Sequence, residues 1–218
     1  MDHTFWLDRW QKSEIGFHQA VAHDFLERHW SALAVPKTAE VLVPLCGKSN
    51  DMVWLADHGH SVIGTELAQS AIDQFFAERF RTPAAVNEAG FTVSRAGPYA
   101  LWCGDHLTLD PAVTRRIGGV FDRAALVAMP HTMQQTYADK LAALTPSGVP
   151  VLLVSLDYDP SEMDGPPFPI SPGRVDELFS RDFRITLLEK RDGLNASQNL
   201  KNRGLTALQE MAWKLVRR

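Results

Sequence analysis

The stretch Glu40-Val41-Leu42-Val43-Pro44-Leu45-Cys46-Gly47-Lys48-Ser49-Asn50-Asp51 runs from an apolar segment into a glycine turn. Val62-Ile63-Gly64-Thr65-Glu66 then ends a second apolar segment on a carboxylate. An acid about 20 positions beyond a glycine turn, closing the next strand, is the spacing of a nucleotide-binding βαβ unit. Gly47 lets backbone approach a ligand closely, and Glu66 can accept hydrogen bonds from two ribose hydroxyls. The turn is not G-x-G-x-x-G, so no glycine pair is present to cradle a pyrophosphate. A nucleoside without phosphates fits better than a dinucleotide, and S-adenosylmethionine is the common one. Lys48 is no P-loop lysine, because G-x-x-x-x-G-K-[ST] is absent, which disfavours ATP.

Further chemistry gathers at other strand ends. Asp122-Arg123 follows an apolar run, and Cys103-Gly104-Asp105 follows another. Asp122 and Arg123 can form a structural ion pair or serve a ligand. Trp6 and Trp10 share one helical face at i, i+4 and can dock a helix or cover a cation. Cys46 and Cys103 are far apart and form no C-x-x-C unit, so each reads as a small buried residue at a strand end. No H-E-x-x-H spacing occurs among the histidines, and no metal site is expected.

These residues need elements to hold them. The aromatic pattern of 4–33 predicts helix, interrupted at Gly16. Strands are predicted over about 40–45, 61–66, 119–122 and 150–156, with helices over about 49–58, 68–79 and 132–144 between them. Phe91-Thr92-Val93 and Tyr99-Ala100-Leu101-Trp102-Cys103 form a possible hairpin through Gly97-Pro98. Asp164-Gly165-Pro166-Pro167-Phe168-Pro169 must be loop, since so many prolines permit neither helix nor central strand. A short helix near 173–180 precedes strands at about 184–190 and 210–217, expected to pair as an antiparallel edge. The alternation gives an open, mostly parallel α/β sheet, whose ligands bind beyond the carboxyl ends of the strands.

With 218 residues, one domain is expected over 1–218, residues 1–35 forming a helical cover. The net charge of -4 gives no electrostatic reason to bind nucleic acid. No apolar run is long enough to span a membrane. Met1-Asp2-His3-Thr4-Phe5-Trp6 lacks the basic and apolar regions of a signal peptide, so a cytoplasmic monomer acting on a small molecule is expected.

Several stretches together resemble the bacterial branch of the thiopurine S-methyltransferase family along nearly the whole chain. They are Trp6-Leu7-Asp8-Arg9-Trp10 with Phe17-His18-Gln19; Pro44-Leu45-Cys46-Gly47-Lys48; Gly59 to Glu66; Phe121-Asp122-Arg123-Ala124-Ala125-Leu126-Val127-Ala128; and Tyr158-Asp159-Pro160 with Gly165-Pro166-Pro167-Phe168. The resemblance implies a class I, Rossmann-like fold that uses S-adenosylmethionine, with a seven-stranded sheet and an N-terminal helical lid. It implies that Trp10 packs over the cofactor, Leu45 and Gly47 lie under it, and Glu66 holds the ribose. Asp105 and His106 fall where the family contacts the adenine. Arg123, at the end of the fourth strand, falls near both the cofactor and the methyl-transfer site, with Asp122 to orient it or relay a proton. Phe17 corresponds to an aromatic of the substrate pocket. Eukaryotic members carry a pocket arginine where this chain has Asn199; the bacterial pattern puts Arg203 before Gly204.

The implied reaction is methyl transfer to the sulfur of an aromatic or heterocyclic thiol, with selenium and tellurium compounds as further acceptors. The rivals are a halide or small-thiol methyltransferase, a non-catalytic S-adenosylmethionine-binding protein, and a Rossmann-type oxidoreductase, against which the missing G-x-G-x-x-G argues.

Overall fold

The computed structural model describes residues 3–218; Met1 and Asp2, the first residues of the N-terminal stretch read above, lie outside them. Apolar residues that alternate along Val41-Leu42-Val43 send side chains to both faces of a sheet. Val41 and Val43 join one buried cluster and Leu42 the other. Both faces are therefore covered, as the apolar run Pro150–Asp157 requires.

The strands are β1 (Glu40–Val43), β2 (Ser61–Glu66), β3 (Ala84–Glu88), β4 (Phe91–Ala96), β5 (Tyr99–Cys103), β6 (Ile117–Asp122), β7 (Pro150–Asp157), β8 (Phe183–Asp192) and β9 (Gln209–Arg217). They form one sheet in the order β3-β4-β5-β2-β1-β6-β7-β9-β8. β5, β2, β1, β6 and β7 are parallel neighbours, while β3-β4-β5 and β7-β9-β8 pair antiparallel. The helices are α1 (His3–Gln11), α2 (Asp24–His29), α3 (Asn50–Asp57), α4 (Gln69–Ala77), α5 (His131–Leu144), α6 (Pro172–Phe179) and α7 (Gln198–Asn202). Phe25, Met52, Leu55, Ile72 and Phe75 bring α2, α3 and α4 onto one face. Tyr137, Leu141, Val175 and Phe179 bring α5 and α6 onto the other.

The mostly parallel α/β sheet is as expected, but it has nine strands and not seven. The hairpin through Gly97-Pro98 is present as β4 and β5. β3 escaped notice because all five of its residues are exposed, so burial imposes no alternation on its sequence. The N-terminal helix prediction needs a larger correction. Helix stops at Gln11 and resumes only at Asp24. Between them Phe17 packs on Trp10 and lines a cavity instead of a sheet face, and Val21 is exposed, so their spacing mimics a helix without one.

Asp122, at the end of β6, is fully buried and accepts hydrogen bonds from the Tyr137 hydroxyl (2.6 Å) and the Leu126 amide (3.2 Å). Burial pushes its carboxyl up to about 6, against these bonds, which favour the charged form. Between about pH 4 and 6 the folded chain keeps a proton there that the unfolded chain has lost. This contribution to stability is complete below the ordinary aspartate range and is lost as pH rises through about 6. Relative to Asp122→Asn, the wild-type unfolding free energy should fall by about 2–3 kcal/mol from about pH 4 to 7. Urea titrations of both proteins across that range measure it; parallel pH profiles would contradict it.

Candidate functional site

Every parallel strand ends at one edge of the sheet, and a cavity of about 400 Å³ lies over that edge. The turn after β1 is fixed to the end of β2. Leu45 N–H donates to Thr65 Oγ1 (3.3 Å), Cys46 N–H to the Thr65 carbonyl (2.8 Å) and Gly47 N–H to Glu66 Oε2 (2.9 Å). Glu66 Oε1 accepts from Ala68 N–H (2.8 Å). Burial raises the Glu66 carboxyl above the usual glutamate range, opposed by the Ala68, Gly47 and Leu67 amides. Each oxygen has further acceptor capacity, and Glu66 lines the cavity.

Gly47 has φ +51°, and a Cβ there would lie 2.9 Å from the Trp10 indole. The indole therefore rests directly on the glycine turn. Leu45 (φ +46°) and Ala124 (φ +61°) are left-handed without being glycines, one just after β1 and one just after β6. Such positions cost on the order of 1–2 kcal/mol each and collect at ligand sites. Both residues line the cavity.

Asp105 caps the short turn after β5, Oδ1 accepting from Leu107 N–H (2.9 Å), while Oδ2 lies 3.4 Å from His3 Nε2. His106 is buried; its Nδ1 pairs with Thr65 Oγ1 at 2.9 Å. Among the described residues its Nε2 has no partner. Burial, with Lys140 adding to it, pushes the imidazole down to about 4, so it is neutral at pH 7.

Arg123 does not pair with Asp122. Its Nε donates to Asp51 Oδ2 (2.7 Å), Nη2 to Ser49 Oγ (3.2 Å) and Nη1 to the Phe17 carbonyl (3.4 Å). Asp122 does not line the cavity: its side chain turns to Tyr137, on the opposite side of the strand end. The expectation that Asp122 orients Arg123 is therefore replaced by Asp51. Burial would raise the Asp51 carboxyl, yet Arg123, Ser49 and the His23 amide hold it below the usual range.

Trp6, Phe17 and Trp10 pack edge-to-face and form a wall of the cavity. Arg203 also lines it, its Nη1 donating to the Pro166 carbonyl at 2.7 Å. Asn199 Nδ2 reaches the Gly16 carbonyl at 3.4 Å, joining α7 to the N-terminal segment. Of the residues singled out from sequence, Trp10, Leu45, Glu66, Asp105, His106, Arg123, Phe17 and Arg203 share the cavity; Gly47 lies beneath Trp10 and Asp122 lies outside. Asp51, His23 and Glu210 were missed. Ser49-x-Asp51 after a glycine turn is a helix N-cap signal, and Glu210 is an acid at the start of an apolar strand. Neither signal announces a ligand.

The set fits a nucleoside cofactor: a buried carboxylate with spare lone pairs and an unpartnered imidazole nitrogen share the cavity, whereas Gly47, covered by the Trp10 indole and bonded to Glu66, positions the carboxylate and does not itself face the cavity. A sheet of this order with this turn and carboxylate is a Rossmann-like nucleoside-binding fold. Solved structures share the fold. A SAM-dependent methyltransferase from Anabaena variabilis superposes with a TM-score of 0.65 at 13% identity, over 99% of this chain and 95% of its own. The 1,6-didemethyltoxoflavin-N1-methyltransferase of Burkholderia thailandensis, solved with S-adenosylhomocysteine, gives 0.65 at 15%, over 98% and 87%. The family model for thiopurine S-methyltransferase matches residues 1–218. The thiopurine S-methyltransferases of Methylococcus capsulatus and Azotobacter vinelandii are each 43% identical, over 99% and 100% of this chain and 97% and 100% of theirs. The chain belongs to the thiopurine S-methyltransferase family, which makes this the fold of an S-adenosylmethionine-dependent methyltransferase.

Gly47→Ala should cost roughly 1–2 kcal/mol from the left-handed backbone alone. It should also displace Trp10, read as a change in tryptophan emission. Unchanged emission and stability would show that the turn adapts.

Proposed function

We propose that the protein transfers the methyl group of S-adenosylmethionine to the sulfur of aromatic and heterocyclic thiols such as thiopurines. Selenium and tellurium compounds are further acceptors of the same soft-nucleophile class. The observation that carries this reading is the Arg123 guanidinium, held by Asp51 at the floor of an aromatic-walled cavity. An anionic sulfur on a flat ring is the complementary ligand. The names of the relatives agree with it. A halide would leave most of the apolar wall uncovered, so a halide or small-thiol acceptor fits less well.

When bound, the cofactor supplies a methyl carbon already activated by its sulfonium. Glu66 binds the ribose hydroxyls, Trp10 and Leu45 enclose the ligand, and Asp105 with neutral His106 meets the adenine. Residues 3–35 form the cover, with Phe17 against the acceptor and Arg203 fixing the proline loop beside it. Arg123 favours the thiolate by charge, so the thiol proton leaves to solvent as the acceptor binds and no dedicated base is needed. Asp122 takes no part in proton transfer. Alignment of donor and acceptor can lower the barrier by about 7–11 kcal/mol.

Incubation with labelled S-adenosylmethionine and a panel of aromatic thiols, selenite and halide tests the reading. Transfer to the aromatic thiols is expected; transfer to halide alone would overturn it. Glu66→Ala should weaken S-adenosylhomocysteine binding by roughly 1–3 kcal/mol in calorimetry, since the ribose loses a charged acceptor. An unchanged affinity in folded protein would remove Glu66 from the site.

Arg123→Lys keeps the charge but loses the fork that spans Asp51, Ser49 and the cavity. It should lower kcat/KM for thiolates by about 10-fold or more while cofactor Kd changes less. Should the cofactor Kd account for the whole defect, Arg123 serves the cofactor alone.

A further inference from the structure

Glu210 is the second residue of β9 and pairs with Leu156 at the ligand end of β7. Its carboxylate is 14% exposed and lines the cavity, whose wall also includes the apolar side chains of Val154, Leu156 and Leu200. β9 lies two strand positions from β6, which Arg123 follows directly, and four from β2, which ends in Glu66. At a strand spacing of about 4.8 Å, Glu210 stands roughly 10 Å from the Arg123 strand and roughly 19 Å from the Glu66 strand. It is thus remote from the ribose carboxylate and on the far side of Arg123.

Its charge and direction are fixed. Oε2 accepts from Arg191 Nε (2.8 Å) and Nη2, and Oε1 pairs with His23 Nε2 (3.0 Å). His23 Nδ1 accepts the Phe25 amide proton (3.2 Å), so the ring proton sits on Nε2 and is donated to Glu210. Burial would raise the Glu210 carboxyl, but His23 and Arg191 hold it below the usual range. The His23 amide in turn donates to Asp51 (2.7 Å), the carboxylate that holds Arg123. One chain of hydrogen bonds therefore sets a cation and an anion on the wall of one cavity.

We propose that Glu210 determines acceptor specificity by accepting a hydrogen bond from a ring N–H of a heteroaromatic thiol whose sulfur faces Arg123. The proposal rests on the thiol-methylation reading and adds a recognition element to it. Oε1 has a lone pair beyond the one His23 uses. Arg191 and His23 hold the carboxylate in either case, but an acceptor without a ring donor covers the remaining lone pair of Oε1 without filling it, and a site built to receive a donor discriminates against a ligand that lacks one.

The test compares two acceptors. One is a thiol on a fused imidazole ring, which keeps a ring N–H when its sulfur is ionised. The other is thiophenol, which has none. The wild-type protein should favour the first in kcat/KM. In Glu210→Gln the ratio of the two kcat/KM values should fall about tenfold. Glu210→Asp keeps the charge for Arg191 and His23 but shortens the reach, and should lower the same ratio; it carries the test if the first variant does not fold. S-adenosylhomocysteine Kd is measured in each variant, and the ratio cancels any defect on the cofactor side. A fall of about threefold or more in the ratio supports the proposal, and a smaller change in folded variants overturns it. If wild-type protein methylates neither thiol, the thiol reading itself fails and the proposal falls with it.

Discussion

The buried Asp51 carboxylate holds the ligand edge of the sheet together. It is 2% exposed and accepts from one local group, the Ser49 hydroxyl, and from two of distant origin, the His23 amide and the Arg123 guanidinium. His23 caps α2, Ser49 caps α3, and Arg123 follows β6. A carboxylate removed from water is tolerable only when its lone pairs are filled in this way. Removing one partner of such a pair costs about 3–5 kcal/mol, because a bare charge stays behind. The turn after β1, the end of β6 and the root of the N-terminal segment are therefore positioned as one unit. Arg123 spends its Nε on this anchorage and keeps its terminal nitrogens on weaker partners, at 3.2 and 3.4 Å, nearer the cavity.

The two aspartates near Arg123 show how environment assigns roles to like residues. Asp51 meets a full positive charge, and its carboxyl is held low. Asp122, one residue before Arg123, meets a phenol and amides, which stabilise a charge far less than a guanidinium does, and burial lifts it to about 6. Asp122 ends β6 and reaches Tyr137 of α5 on one face of the sheet, while Arg123, the first residue beyond the strand, reaches Asp51 of α3 on the other. An ion pair spanning 72 residues was formed instead.

That pair also marks where sequence reading stops. The β2 carboxylate and the glycine turn were legible because their spacing follows from strand, turn and helix lengths within one βαβ unit. β7 was legible because a strand covered on both faces reads as a continuous apolar run, here Val151 to Val154. The Asp51–Arg123 and His23–Glu210 contacts depend on how α2 and β9 dock on the sheet, and no local period records that. The segment 12–23 is not the helix its spacing predicts, because Phe17 serves a cavity and Val21 is exposed, and neither placement is set by 3.6 residues per turn. β3 was invisible because an exposed edge strand buries nothing that could imprint a pattern.

Glu66 shows how the fold prepares a site before any ligand arrives. Its two oxygens already hold the Gly47 and Ala68 amides, so the carboxylate cannot rotate. Those two bonds leave burial dominant, and the carboxyl sits above its usual range. Neutral donors brought by a ligand would complete the solvation that folding removed. Binding then gains the interaction without paying to order the side chain, which is the advantage of a preorganised acceptor. The same logic holds at Leu45 and Ala124, where left-handed backbone is tolerated because Thr65, Asp51 and Glu66 over-determine the loops around it. The stability spent at this edge is recovered in the two apolar layers beneath, where β1, β6 and β7 are covered on both faces.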